Sequence, residues 1–229
     1  MKFGKLYRAT IAARMPHWGE HMMQYKQLKQ AINLATASSA GAEPSGLCAG
    51  FAGLLDQQVE VVNGFYMERV EEGIIILHQL HTHAQQMRAG KLPLEDSTAC
   101  QRSLVAFHFQ CVLLEHFVAL NFTALTKILK KFEKKLGAEL KADYMAAIVE
   151  LPFYSCEELR ELVEECERQF RVFEELGTAR GAEGVGERAE AAGPCGSAAE
   201  RLGFGGGLQS QMQLHRQIAQ QQGRSISLG

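Results

Sequence analysis

Two long stretches of the chain repeat apolar residues at intervals of three and four, and this repeat constrains the fold more than any other feature. The first stretch runs from residue 51 to about 87, and the second from residue 98 to about 136. Such spacing gathers apolar side chains on one face of an α-helix. A helix of about 35 residues is about 50 Å long. We therefore predict an elongated all-α bundle built on two long antiparallel helices.

Shorter helical segments precede the long ones. Residues 2–34 have a helical pattern that Pro16 interrupts, which predicts a hairpin of two short helices with Trp18 at the turn. Small and turn-forming residues follow at 35–50 and predict a loop. The long helices are thus expected to carry an N-terminal helical hairpin.

Short helices are also predicted after the second long stretch. Gly137 is typical of a helix stop, and residues 142–149 have a helical pattern. Ser155 and Glu158 have the spacing of a capping box for a last helix that ends near residue 176.

The composition changes sharply after residue 176. Residues 177–229 are rich in Gly, Ala, Glu and Gln and lack helical periodicity, apart from a short amphipathic stretch at 209–222. Such a sequence buries too little apolar surface to fold. We predict a folded domain over 1–176 and a disordered tail over 177–229. A length of 229 residues excludes a large multi-domain enzyme.

Metal, redox and membrane motifs are not expected in this chain. The six cysteines form no CxxC pair, which argues against a zinc ribbon or a redox motif. His78, His81 and His83 point in different directions on a regular helix, so they are not expected to share a metal ion. The N-terminal region has no apolar run of signal-peptide length, and we expect no membrane-spanning segment.

Lysines are concentrated in one part of the second long helix. The formal net charge is only −2, yet five lysines lie between Lys127 and Lys135. Four of them fall within an arc of about 100° on a helical wheel: Lys127, Lys130, Lys131 and Lys134. The apolar residues between them lie on the opposite face, so the lysine face is predicted to point to solvent. By itself it is compatible with an ordinary solvated surface.

A second basic element favours an anion-binding site. Tyr25 and Lys29 lie one helical turn apart, with Lys26 beside them. A tyrosine hydroxyl donates a directed hydrogen bond and lysine supplies a compact charge, which together suit phosphate oxygens. Lys2 and Lys5 add charge near the free amides at the start of the first helix.

Several separated motifs resemble the SPX domain family in order and spacing. They are MKFGK at 1–5, PHW at 16–18, YKQLK at 25–29, VNGFYMERVEE at 62–72, LNFTALTKILKKFEKKLG at 120–137 and LPFYSCEELRELVEECE at 151–167. The resemblance covers residues 1–176 and implies an N-terminal helical hairpin packed on two long helices. Two departures from the family pattern are Gln30, where a lysine is common, and the segment HFQCVLLEHF at 108–117.

The resemblance implies a ligand and the residues that bind it. SPX domains bind inositol polyphosphates, such as inositol hexakisphosphate, and bind inositol pyrophosphates most tightly. The implied phosphate-binding cluster is Tyr25, Lys29 and Lys131. The implied adjoining surface is Lys127, Lys130 and Lys134, with Lys2 and Lys26 close by. No catalytic residue, metal or cofactor is implied.

The resemblance is to stand-alone SPX proteins of the plant and algal type. It implies a non-enzymatic phosphate-status sensor that binds a MYB-type transcription factor when the inositol pyrophosphate is present, in the nucleus, the cytoplasm or both. Two alternatives stay open. One is a helical adaptor that needs no ligand, and the other is a direct nucleic-acid binder. A pI of about 6.5 and the scarcity of arginine in the lysine face argue against the second.

Overall fold

The computed structural model describes residues 2–38, 44–137 and 141–183. These residues form seven α-helices: α1 (Phe3–Arg14), α2 (Tyr25–Ser38), α3 (Pro44–Arg88), α4 (Ser97–Leu136), α5 (Lys141–Val149), α6 (Pro152–Ser155) and α7 (Glu157–Glu183). Two short 3₁₀ helices, Pro16–His21 and Leu94–Asp96, precede α2 and α4. The all-α prediction is confirmed. The predicted tail, from residue 184 onward, lies outside the described residues.

The two long helices α3 and α4 run antiparallel. Phe51 stacks on Phe132 with ring centroids 4.3 Å apart, whereas Gly73 lies against Phe107. Because residue numbers rise along α3 while those of the contacting residues fall along α4, the two helices run antiparallel. The α4 residues predicted to face the core do so, since Ile128, Leu129 and Phe132 are fully buried.

The predicted loop at 35–50 was wrong at both ends. The helix α2 continues to Ser38 and α3 already begins at Pro44. Proline is compatible with the first turn of a helix because its missing N–H would have no intrahelical partner there. The small residues that follow do not stop a helix whose next turns pack into the core through Phe51 and Leu55.

The helix α4 begins at Ser97, within one residue of the predicted start at residue 98. Ser97 is buried in the first turn, and the N-cap position belongs to Asp96, which makes no side-chain capping hydrogen bond. The helix stop at Gly137 is as predicted. Its φ of 69° is left-handed, and its N–H donates to the Glu133 carbonyl at 2.9 Å.

The predicted capping box before α7 does not form. The Ser155 hydroxyl donates to the Pro152 carbonyl at 3.3 Å and so belongs to the short helix α6. Cys156 then turns the chain with a φ of 52°, and α7 begins at Glu157. This helix continues to Glu183 rather than ending near residue 176.

The N-terminal hairpin is anchored by Trp18, as predicted. The 3₁₀ helix Pro16–His21 places this indole edge-on to Phe65 of α3 and Phe117 of α4, with ring centroids 5.2 Å and 6.0 Å away. Edge-to-face aromatic contacts stabilise a cluster beyond the area that they bury. The hairpin is thereby fixed against both long helices.

The described parts of the chain contain several cysteine thiols. There, Cys100, Cys111, Cys156 and Cys166 are free thiols. Burial raises the pKa of the Cys111 thiol to about 12. No cluster of three or more His, Cys, Asp or Glu side chains in these parts could hold a metal ion.

One segment, 94–136, is long and apolar enough to cross a membrane by length and composition alone. Core helices satisfy the same criterion, and the apolar residues of α4 include many that pack in the core. The criterion is therefore a weak indication, and the absence of a membrane segment stays a prediction.

The helix α3 lies close to its neighbours at Gly73. A methyl group there would lie 2.9 Å from Leu162 Cδ1 and 3.0 Å from Phe107 Cζ, whereas one at Gly64 would meet nothing within 4 Å. We expect Gly73→Ala to destabilise the protein by about 1–3 kcal/mol through overpacking. Gly64→Ala should stabilise it by up to about 1 kcal/mol through helix propensity.

Urea denaturation of both variants measures the difference. Each variant replaces a helical glycine by alanine, so both gain the same helix propensity. The difference between their free energies of unfolding therefore measures the crowding of the methyl group at residue 73. Equal stabilities would show that α3 is not closely packed at residue 73.

Candidate anion-binding site

The helices α2 and α4 lie side by side and parallel, in one register. Lys135 Nζ donates to Asn33 Oδ1 at 2.8 Å, across 102 positions of the chain. Tyr25 and Lys127 are separated by the same number of positions, and both contact the ring of Phe3. Contacts that advance together along both helices require a parallel arrangement.

This register determines the position of the central lysines. Lys29 lies one turn after Tyr25 and one turn before Asn33, while Lys131 lies midway between Lys127 and Lys135. The two lysines are therefore neighbours across the α2–α4 contact. The family resemblance implied that these two segments converge, and the register of α2 against α4 brings them together.

The first turn of α1 meets the same surface. The Phe3 ring is edge-on to Tyr25 with centroids 5.0 Å apart, and Lys127 Nζ lies 5.1 Å from the centroid of that ring. A methyl group on Gly4 would lie only 3.2 Å from Tyr25 Cδ1, so α1 approaches α2 closely here. Lys2, at the N-cap of α1, is exposed beside this cluster.

The lysines form a continuous charged surface. Lys131 is half-buried, and the other lysines of the surface are exposed: Lys2, Lys26, Lys29, Lys127, Lys130 and Lys134. Lys131 lies on the side of α4 that faces α2. Lys130 and Lys134 lie farther from α2, because they fall on the other side of Lys127 on the helical wheel. Within the described chain, no ion pair joins these lysines to a carboxylate. Unneutralised like charges at this spacing repel one another, and a bound polyanion would relieve that repulsion.

Tyr25 contributes a neutral hydrogen-bond donor to this surface. The residue is half-buried, and burial raises the pKa of its hydroxyl above the ordinary value. The hydroxyl therefore keeps its proton at neutral pH. It can donate to a phosphate oxygen without adding negative charge.

A buried amide attaches the hairpin that carries Tyr25 and Lys29. Asn121 of α4 is almost fully buried, and its Oδ1 accepts from the Met23 N–H at 2.8 Å and from the Tyr7 hydroxyl at 3.3 Å. Its Nδ2 donates to the Phe117 carbonyl at 2.9 Å. The Tyr7 hydroxyl shares its one proton between Asn121 Oδ1 and the Met23 carbonyl, which lies nearer at 3.0 Å. One side chain thus joins α1, the start of α2 and α4.

Sequence reasoning missed three residues of this surface. Phe3 was not among the predicted site residues, although it directly follows Lys2 in the sequence and could have been predicted from that adjacency. Lys135 lies just outside the lysine arc on the helical wheel, and Asn33 lies one turn beyond Lys29. Their contact depends on the register of α2 against α4, which spacing within either helix does not determine.

Comparisons with known proteins agree with the resemblance noted in the sequence. A family profile described as "SPX domain" matches residues 95–148. SPX domain-containing protein 5 of Oryza sativa subsp. indica is 33% identical over 167 residues, covering 73% of this chain and 65% of that protein. SPX domain-containing protein 2 of Arabidopsis thaliana is 31% identical over 186 residues, covering 73% and 64%. This chain thus spans slightly less than two thirds of these relatives.

A solved structure shares the fold. The SPX domain of Chaetomium thermophilum Glycerophosphodiester Phosphodiesterase 1, in complex with inositol hexakisphosphate (InsP6), superposes with a TM-score of 0.64. The match has 23% sequence identity and covers 76% of this chain and 99% of the other. It demonstrates that the helical architecture is the same.

Removing the buried amide should loosen the hairpin. We expect Asn121→Ala to lower the free energy of unfolding by about 2–4 kcal/mol, because the Met23 N–H would lose its partner in a buried position. Thr123→Ala on the same helix is the matched control, since its hydroxyl donates to the Ala119 carbonyl of its own helix. It should change stability by less than about 0.5 kcal/mol. Chemical denaturation measures both, and equal midpoints would contradict this role for Asn121.

Proposed function

This chain is an SPX domain protein related to the plant SPX domain-containing proteins, and we propose that it binds an inositol polyphosphate or pyrophosphate on its lysine surface. The proposed ligand-binding residues are Lys2, Tyr25, Lys26, Lys29, Lys127, Lys130, Lys131 and Lys134. The observation that carries the proposal is the parallel register of α2 and α4. It brings the two basic segments of the sequence into one surface.

The chemistry of the surface suits a highly phosphorylated ring. Lysine side chains present compact charges on flexible stems, so they can follow phosphates at several positions of a ring. Tyr25 adds one directed donor, and the free amides at the start of α1 add positive potential. The related fold of the InsP6-bound SPX domain supports a ligand of this class. Because many charges are engaged, affinity should fall steeply with salt.

The ligand is proposed to act as an effector rather than a substrate. It would neutralise the repulsion among the lysines and hold the N-terminal hairpin, through Tyr25 and Lys29, against α4. A ligand that stabilises one arrangement of two elements favours a partner that recognises that arrangement. We propose a MYB-type transcription factor as that partner. The protein would then be a non-enzymatic phosphate-status sensor in the nucleus, the cytoplasm or both.

Calorimetric titration with InsP6 and with an inositol pyrophosphate tests the binding site. Lys131→Ala removes a central charge and Tyr25→Phe removes the hydroxyl donor. Each should weaken binding by about tenfold, the loss expected for one charge-assisted hydrogen bond. Lys91→Ala is the matched control, because Lys91 is exposed in the turn between α3 and α4. That turn lies about 45 Å along α4 from the lysine surface.

Two results would contradict the proposal. Unchanged affinity in both site variants would show that the ligand binds elsewhere. Binding no stronger than that of inorganic sulfate would exclude the sensor function and favour an adaptor that needs no ligand.

A further inference from the structure

The contact between α2 and α4 has three successive levels, one helical turn apart. Tyr25 and Lys127 form the first and Lys29 and Lys131 the second. Asn33 and Lys135 form the third, and it is the one with a direct hydrogen bond, from Lys135 Nζ to Asn33 Oδ1 at 2.8 Å. Both of its side chains are exposed. The basic surface thus continues one turn beyond the residues assigned to the ligand above.

The third level can donate more hydrogen bonds than it uses. An ammonium group has three protons, and Lys135 gives one of them to Asn33. The Asn33 amide nitrogen has two more, while its oxygen is already engaged. In the described chain, Lys135 pairs with no carboxylate. The nearby Glu133 is directed away, since its Oε1 accepts from the Lys141 N–H at 3.1 Å. Free donors and a full positive charge favour an anion.

The position of the third level indicates which kind of anion would bind there. It lies about 6 Å beyond Lys131 along α4 and about 12 Å beyond Lys127. The first two levels already offer donors to the phosphates of the ring. A second phosphate attached to a ring phosphate extends the ligand outward in one direction, and the flexible Lys135 side chain can reach it from the next turn.

We infer that Asn33 and Lys135 form a subsite for the terminal phosphate of an inositol pyrophosphate, and so distinguish it from InsP6. This inference rests on the proposed function and deepens it. Asn33 acts by holding the Lys135 ammonium group beside α2 and by offering its own amide protons. An exposed hydrogen bond between two flexible side chains contributes little to stability. Variants at both positions should therefore fold like the wild type.

Calorimetry with two ligands on the full chain tests the subsite. The probes are InsP6 and a diphosphoinositol pentakisphosphate, and thermal unfolding checks that each variant is folded. Lys135→Ala should weaken pyrophosphate binding by about fivefold or more and InsP6 binding by less than about twofold. Asn33→Ala should change the affinity ratio in the same direction by a smaller factor. Lys134→Ala, at the adjacent position, removes the same charge and should weaken both ligands by a similar factor.

The ratio of the affinity for the pyrophosphate to the affinity for InsP6 separates the outcomes. If the ratio in Lys135→Ala equals that in Lys134→Ala, the subsite does not exist and the proposed function stands. If the wild type binds neither ligand more strongly than sulfate, the proposed function fails and the subsite fails with it. A lower ratio in Lys135→Ala alone supports the subsite.

Discussion

The buried amide of Asn121 is the interaction on which the arrangement of this protein depends. It joins the Met23 backbone, the Tyr7 hydroxyl and the Phe117 carbonyl, and so connects α1, the start of α2 and α4 in one place. A polar side chain in a core is stable only when its hydrogen bonds are made, and that requirement admits one arrangement of the hairpin. The helix α2, which begins two residues after Met23 and carries Tyr25 and Lys29, takes its position from this attachment.

Two opposing effects meet at the surface that this attachment creates. Apolar and aromatic contacts favour close packing of the hairpin on α4, since Trp18 lies edge-on to Phe117 and the Phe3 ring lies under Lys127 Nζ. The same packing brings Lys29 beside Lys131, and adjacent like charges oppose it. The packing contacts prevail because these partly buried rings lie against the core. The lysine head groups, by contrast, keep most of their hydration and repel weakly through water. A polyanion bound there would strengthen the packing, and this links occupancy of the site to the geometry of the hairpin.

The existence of the helices was predictable, whereas several of their ends were not. Periodicity over many turns identified α3 and α4, because each needs one continuous apolar face to bury. The ends depend on a few residues whose preferences tertiary contacts override. Small residues near Pro44 suggested a loop, yet the core contacts of Phe51 and Leu55 support a longer helix. Ser155 had the spacing of a cap, but its hydroxyl bonds within α6.

The residues of the candidate site, too, were predictable from the sequence only in part. The sequence by itself determined that Lys127, Lys130, Lys131 and Lys134 share one helical face and that Tyr25 and Lys29 share another, because 3.6 residues per turn decides this within one helix. Only the tertiary structure decided that the two faces meet and in what register. Phe3, Asn33 and Lys135 entered the surface for that reason alone. Register between helices depends on the packing of side chains distant in sequence, which no spacing within one helix records.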